Sequence, residues 1–227
     1  MELEAQLRTA IVAVCRRAYE KGFLAATDGN VSARFGADRL IVTPSGISKG
    51  HMSPNELIIT DMAGHVIQGN GRPSSELAMH LAAYAARPDV RAVVHAHPPR
   101  AIAFTTAGVP IPGRLLPEVV VALGGEVPTV PYTTPTTDEV PRALGPYFER
   151  HDAVMMEWHG AVCLASDVWE AYYKLEKLEH LCEVALFAQQ LGGWRELSEA
   201  QMAPLRAIRE RMLAEKDSGA TAPSVGC

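Results

Sequence analysis

Apolar positions recur at helical spacing near the start of the chain, with Leu3, Leu7, Ile11, Val14 and Tyr19 on one stripe that ends at Gly22. This predicts an amphipathic helix over residues 2–21. The pattern then breaks into short runs. Thr27-Asp28-Gly29-Asn30 is a turn that opens a strand, and Arg39 to Thr43 reads as another, stopped by Pro44-Ser45-Gly46. Leu57 to Thr60, the turn Asp61 to Gly64, and His65 to Ile67 predict a hairpin. A helix is expected from near Ser75 to about Ala86, where Arg87-Pro88 stops it. The apolar run Val90 to Val94 continues into a strand bearing His95 and His97, and Pro98-Pro99 opens a further helix.

The second half begins with a Pro- and Gly-rich section, Val109 to Pro135, which holds a short apolar element (Glu118 to Leu123) and a strand near Val127 to Val130. Thr136 or Thr137 is expected to cap a helix reaching about Arg150. Ala153 to Met156 and Ala161 to Ala165 read as strands flanking His159. A long helix is predicted over Asp167 to Leu191 and a charged one over Ser198 to Lys216, followed by a disordered tail from Asp217 to Cys227. Helices and hairpins alternate without regular βαβ spacing. That favours an α/β chain with a mixed, largely antiparallel sheet and helices packed on it. No repeat, heptad or low-complexity linker divides the chain, so residues 1–216 are expected to form one domain.

Composition narrows the function. With 227 residues and 48% hydrophobic content the chain can bury a full core. Its apolar runs, such as Val119 to Leu123, are far shorter than the roughly 20 residues of a membrane span. Residues 1–20 carry acids early and lack the apolar core of a signal peptide, so a cytoplasmic setting is expected. A net charge of −5 argues against a general nucleic-acid binder, which needs a basic face to release counterions. The four cysteines, at 15, 163, 182 and 227, form no Cys-x-x-Cys pair. Any bound metal must therefore be held by histidine and carboxylate.

His95-Ala96-His97 is the stretch richest in chemistry. Residues two apart on a strand share a face, so two imidazoles at a strand end can grip one divalent cation. The same residues also read as a core histidine followed by a turn residue. His159-Gly160, between two strands, offers a third ring, and three protein ligands with an open position are the usual arrangement of a catalytic zinc. Ser74-Ser75-Glu76 reads as an N-cap with an acid in the first helical turn. It reads equally as hydroxyls and helix-start amides for a phosphate, with Glu76 facing the metal to move a proton at carbon. The turns Thr27 to Asn30 and Thr43 to Gly46 are ordinary turn chemistry, or part of the same amide nest. Histidines 51, 65, 80, 151 and 180 stand in polar or helical settings and read as surface residues. There is no Gly-x-Ser-x-Gly and no His-Glu-x-x-His, and none of the five lysines lies in an apolar strand suited to an imine.

In this order, Gly29-Asn30-x-Ser32, Thr43-Pro44-Ser45-Gly46, Ser74-Ser75-Glu76, His95-x-His97 and His159-Gly160 resemble the class II aldolase/adducin-head family over roughly residues 5 to 190. The resemblance implies a three-layer α/β/α fold with a central, mainly antiparallel sheet, and a homotetramer with active sites at subunit interfaces. It implies that His95, His97 and His159 hold zinc, with manganese or cobalt as other ions that imidazoles accept, and that Glu76 is the catalytic acid/base. Asn30, Ser45, Gly46, Ser74 and Ser75 match the family's phosphate-binding positions, supported by Thr27 and Gly29. The implied reaction is reversible cleavage of a ketose 1-phosphate to dihydroxyacetone phosphate and an aldehyde. Dehydratases, decarboxylases and epimerases of the family are alternatives, though the pentulose-phosphate epimerases typically carry Asp where Glu76 stands. An adducin-like assembly module without catalysis is a further one. In the family's fuculose-phosphate branch a neighbouring subunit's tyrosine serves the aldehyde oxygen; by register from Gly124-Gly125, Glu118 stands there, with Tyr132 nearby.

Overall fold

The computed structural model describes residues 2–217. Eight strands form one sheet in the order β4-β3-β2-β1-β5-β8-β7-β6. They are β1 (Asn30–Phe35), β2 (Arg39–Val42), β3 (Ile58–Asp61), β4 (Val66–Gln68), β5 (Ala92–Ala96), β6 (Thr129–Val130), β7 (Ala153–Met156) and β8 (Gly160–Ala165). The sheet is mixed: every neighbouring pair is antiparallel except β6 and β7. The helices are α1 (Glu2–Glu20), α2 (Leu77–Ala86), α3 (Pro99–Thr106), α4 (Pro117–Leu123), α5 (Glu139–Phe148), α6 (Val168–Gln190) and α7 (Glu199–Asp217). Among the described residues no helix is long and apolar enough to cross a membrane.

Strand alternation sorts the core into two layers. On β5, β7 and β8 the small residues Ala92, Ala96, Ala153, Ala161 and Ala165 face one side, where they pack with α1, α3, α4 and α6. Small side chains there let the long α6 lie close against the sheet, and Ala171, Leu175, Leu178 and Cys182 of α6 are fully buried. On the other side, Val93, Val154, Met156, Val162 and Leu164 pack against α2 and α5. The result is three layers, helix on sheet on helix.

Several boundaries differ from the sequence expectation. The helix expected from Ser75 begins at Leu77, with Glu76 as its cap residue and no side-chain capping bond. Ser74 and Ser75 therefore lie in the turn before it, because the backbone of Ser74 is tied to Thr43 and Leu77 N–H reaches back to the Ser74 carbonyl. β5 ends at Ala96, leaving His97 one residue beyond it. The strand near Val127 keeps only Thr129–Val130, and the apolar element at 118–123 is a helix started by Pro117 and closed by left-handed Gly124. α5 starts at Glu139 and stops at Phe148. α7 extends through Asp217, so the first residue of the expected tail is helical and residues 218–227 lie outside the described residues.

A buried ion cluster holds α7 to the sheet layer. Asp152, 5% exposed, meets Lys174 of α6, Arg87 beyond α2 and Arg209 of α7, and Arg209 also donates to the carbonyls of Val121 and Ala122 on α4. Burial alone would raise the Asp152 carboxyl, but Lys174 and Arg209 hold it below its ordinary value. Its contribution is therefore present above the unfolded carboxylate pKa and lost as pH falls through the depressed folded value. Replacing Asp152 by Ala removes the carboxylate shared by three cations, of which Arg87 keeps Asp89 and Lys174 keeps Glu170, and the expected loss is about 3 kcal/mol in urea unfolding. A variant as stable as the wild type would show that solvent already compensates these charges.

Candidate active site

β5 and β1 carry the polar residues of the second layer. Antiparallel pairing sets Asn30 opposite His95, and β8 sets Ala161 opposite Ala96. His95 follows Val93 on the α2 side of the sheet, and Asn30 and Ser32 of β1 share that side. Glu76, His80 and Tyr84 descend α2 at four-residue intervals and meet these strand residues from above.

His95 is fully buried, and its Nδ1–H donates to the Ala161 carbonyl at 2.9 Å. That bond fixes the tautomer, so the Nε2 lone pair points into the site. His97 Nε2 lies 3.1 Å from His95 Nε2, and its Nδ1 lies 3.6 Å from the Asp28 carboxylate. The three ring centroids of His95, His97 and His159 stand 4.9 to 5.0 Å apart, a nearly equilateral triangle. Each ring offers one nitrogen, and these nitrogens all lie within 4.8 Å of one another. Two facing lone pairs at such a distance repel unless a proton or a cation sits between them. Burial and the neighbouring His95 and His159 push His97 down to about 3, so at neutral pH it presents a neutral nitrogen. The donor set fits a divalent ion: three converging imidazole nitrogens, one ring oriented by a carbonyl and one facing a carboxylate. His159 Nδ1 is buried and has no hydrogen-bond partner among the described residues.

Glu76 closes the site. Its Oε2 lies 3.3 Å from His95 Nε2 and its Oε1 3.3 Å from His159 Nε2. Asn30 Nδ2 donates to Oε2 at 2.9 Å. Burial pushes this carboxyl up, but His95 and His159 outweigh it and hold Glu76 well below the ordinary carboxylate range. It is an ionised base aimed at the place where the three rings converge.

Two glycines make the convergence possible. A Cβ at Gly160 would fall 2.5 Å from the Ala96 carbonyl, 2.8 Å from His97 Cδ2 and 3.1 Å from His95 Cε1. A Cβ at Gly29, whose φ is +67°, would fall 2.8 Å from the His95 carbonyl. Beside them the two small-residue turns meet. Ser45 N–H donates to the Arg72 carbonyl, Ser74 N–H donates to the Thr43 carbonyl, and Pro44 bridges to Pro73. Ser45 and Gly46 are exposed on one side of this junction, with Ser75 exposed and Ser74 half-buried on the other.

Not every singled-out residue joins the cluster. Glu118 is exposed and lines a groove of about 440 Å³ among α4, α6 and α7, with Tyr173, Lys177 and Arg209 and none of the histidine-site residues. Tyr132 is exposed, its ring 5.8 Å from that of Trp158, next to His159 in sequence. Two residues were misjudged or overlooked. His80, read as a surface residue, is 2% exposed and bonded to Asn30 and Ser32. Its four-residue spacing from Glu76 was the available signal. Lys49, 2% exposed, donates to the carbonyls of Thr27 and Ile47 and so ties together the two turns that flank the site. No local pattern marks it.

The class II aldolase and adducin N-terminal domain model matches residues 9–186, most of the chain and all of the site. The chain belongs to the class II aldolase and adducin family. It is 31% identical to the L-fuculose phosphate aldolase of Methanococcus maripaludis over 78% of this chain and 94% of that one. It is 29% identical to the 3-oxo-tetronate 4-phosphate decarboxylase of Haemophilus influenzae over 86% of this chain and 93% of that one. The crystal structure of YgbL from Escherichia coli superimposes with a TM-score of 0.84 at 26% identity, covering 90% of this chain and 99% of that one. The three-layer fold with its central sheet is thus that of the family.

Gly160 gives a direct test of the ring triangle. In Gly160→Ala the added methyl must displace a backbone carbonyl or two imidazoles, and divalent-ion affinity is expected to fall about 10- to 100-fold, the range seen when groups that orient ligands are disturbed. Titration calorimetry with zinc on the wild type and variant measures it; equal affinities would show that the rings do not need this close approach.

Proposed function

We propose that this protein is a metal-dependent lyase that cleaves a phosphorylated ketose by a reversible retro-aldol reaction, giving dihydroxyacetone phosphate and an aldehyde. The observation that carries the reading is the Glu76 carboxylate held 3.3 Å from two of three converging imidazoles. In this proposal His95, His97 and His159 hold a divalent ion, zinc first and manganese or cobalt as alternatives. Such an ion supplies Lewis acidity for the negative charge that develops on substrate oxygen when the carbon–carbon bond breaks.

The chain's own residues do the rest. In the condensation direction ionised Glu76 takes the proton from the carbon beside the carbonyl, and that proton ends on the new hydroxyl; in cleavage the hydroxyl proton released as the carbon–carbon bond breaks passes to Glu76, which delivers it to the same carbon. Its depressed pKa keeps it ionised between turnovers. The junction of Ser45, Gly46, Ser74 and Ser75 is proposed to receive the phosphate, through the serine hydroxyls and the Gly46 and Ser75 amides, the Ser45 and Ser74 amides being committed to the Arg72 and Thr43 carbonyls. Asn30 adjoins this set, but one of its amide hydrogens is already committed to Glu76. Anchoring the phosphate there places the reacting carbons against Glu76, so that binding energy from the remote end orients the reacting end.

A homotetramer with interface sites is part of the proposal, as is a cytoplasmic setting, in keeping with the unpaired buried thiols of Cys15, Cys163 and Cys182. Glu118 lies apart from the site within its own chain, so any service to an aldehyde oxygen would be to a neighbour's site, and Tyr132 is the nearer candidate. This favours a second reading. Decarboxylation of a 3-oxo acid phosphate needs the same stabilised carbanion and proton return but releases carbon dioxide, which requires no phenol. The similarity to the H. influenzae decarboxylase is in the same direction.

A screen of phosphorylated ketoses and 3-oxo acid phosphates separates the two, by assaying dihydroxyacetone phosphate against carbon dioxide. Chelation with EDTA is expected to abolish activity and zinc to restore it, while borohydride with substrate leaves the enzyme active. Trapping a lysine adduct would overturn the metal-dependent reading. Glu76→Gln is expected to lower kcat by about 10²- to 10⁴-fold, the usual worth of a positioned acid/base, with metal content unchanged. Retention of full activity would remove Glu76 from the mechanism.

A further inference from the structure

Glu76 is the end of a chain of buried polar groups. From the carboxylate, Asn30 Nδ2 is 2.9 Å away, and Asn30 Oδ1 meets His80 Nε2. His80 Nδ1 lies 2.7 Å from Ser32 Oγ, and Ser32 Oγ lies 2.8 Å from the Tyr84 hydroxyl. Asn30, Ser32, His80 and Tyr84 are all at most 3% exposed, so water cannot substitute for any partner. Surrounding them are Leu77, Met79, Val93 and Val162, an apolar layer in which unpaired polar atoms are costly.

The carboxylate sets the direction of every hydrogen in this chain. A carboxylate only accepts, so Asn30 must turn its nitrogen toward Glu76 and its oxygen toward His80. His80 Nε2 must then carry the hydrogen. Burial keeps this ring neutral, so its Nδ1 is a lone pair that accepts from the Ser32 hydroxyl. Ser32 Oγ, having donated, accepts from Tyr84. All donations thus run from Tyr84 toward Glu76, and no link can reverse without placing two lone pairs or two hydrogens face to face.

We propose that His80 is a positioning residue, which locks the Asn30 amide so that its nitrogen holds the Glu76 carboxylate against the histidine triangle. The proposal rests on the reading of Glu76 as the proton carrier. Without His80 the Asn30 oxygen loses its buried donor, and the amide is free to shift, so that the Glu76 carboxylate it holds moves from the position at which it meets carbon. A misplacement of about 1 Å at a reacting group costs on the order of 100-fold in rate. His80 is bonded to Asn30 and Ser32, not to the histidine triangle or to the Ser45–Gly46 and Ser74–Ser75 turns, so the loss should appear in kcat and not in KM.

The test uses the full-length, metal-loaded enzyme on the substrate that the screen identifies. His80→Leu is expected to lower kcat about 10- to 100-fold, with KM and metal content unchanged. His80→Gln, whose side-chain amide can still donate to Asn30, is expected to recover part of that loss. Ser32→Ala leaves the ring in place but frees its tautomer, and a loss of about 3- to 10-fold is expected, smaller than that of His80→Leu; it serves if His80→Leu does not fold. In a Glu76→Gln background each substitution should have little further effect, since residues acting through one group are not additive. Unchanged kcat in His80→Leu and Ser32→Ala, a loss that appears as weaker metal binding or higher KM, or full additivity with Glu76→Gln would each overturn the inference. An inactive wild type would instead overturn the lyase reading itself.

Discussion

Three imidazoles and one carboxylate share a space in which every group is charged or carries a lone pair, and the surrounding chain is arranged to hold them there. The His95 and His97 nitrogens, 3.1 Å apart, are held at that spacing by something rigid. The rigid element is the antiparallel run β1–β5–β8. It fixes His95 by a hydrogen bond to the next strand, and it brings Gly160 against the Ala96 carbonyl where no larger residue fits. The turn preceding β1 contributes Asp28 opposite His97. The centre therefore belongs to the middle of the sheet, where strands are paired on both sides and have least freedom to shift.

α2 completes the arrangement from the opposite direction. Its cap residue Glu76 and its residues His80 and Tyr84 face the sheet, and the polar contacts they make lie within an otherwise apolar layer. Such a layer has a single satisfied arrangement of donors and acceptors, which makes it a source of orientation as well as stability. The same logic holds at Lys49, buried beneath the two turns at the mouth of the site. There an ammonium fixes loop carbonyls that would otherwise be free to move. The cluster of Asp152 with Arg87, Lys174 and Arg209 plays a comparable part on the far side, joining α6 and α7 to the sheet.

The sequence pattern made much of this legible, for identifiable reasons. The His-x-His spacing brought His95 and His97 together although β5 stops at Ala96 between them, and the break between two apolar runs put His159 at a strand turn. Helices α1 and α6 were evident because they are long, and their ends carry clear signals, Gly22 for one and the Asp167 cap for the other. The α2 boundary was misplaced because Ser75 has the chemistry of a cap, while the pairing of Ser74 with Thr43 requires a turn at that point. His80 was misread because a histidine in a short alanine-rich helix reads the same whether it faces water or a sheet.

By itself the sequence determined which chemistry was available: three histidines and a glutamate, two turns rich in small donors, and alternating strands able to present them. These follow from local geometry, since residue spacing fixes the face on which a side chain emerges. Only the tertiary structure decided how those groups are paired. The Asn30 amide serves Glu76, His80 turns inward, Lys49 is withdrawn from solvent, and Glu118 lines a groove apart from its own chain's histidines. Those outcomes depend on contacts between residues that are distant in sequence, and on the exclusion of water, which no local pattern encodes.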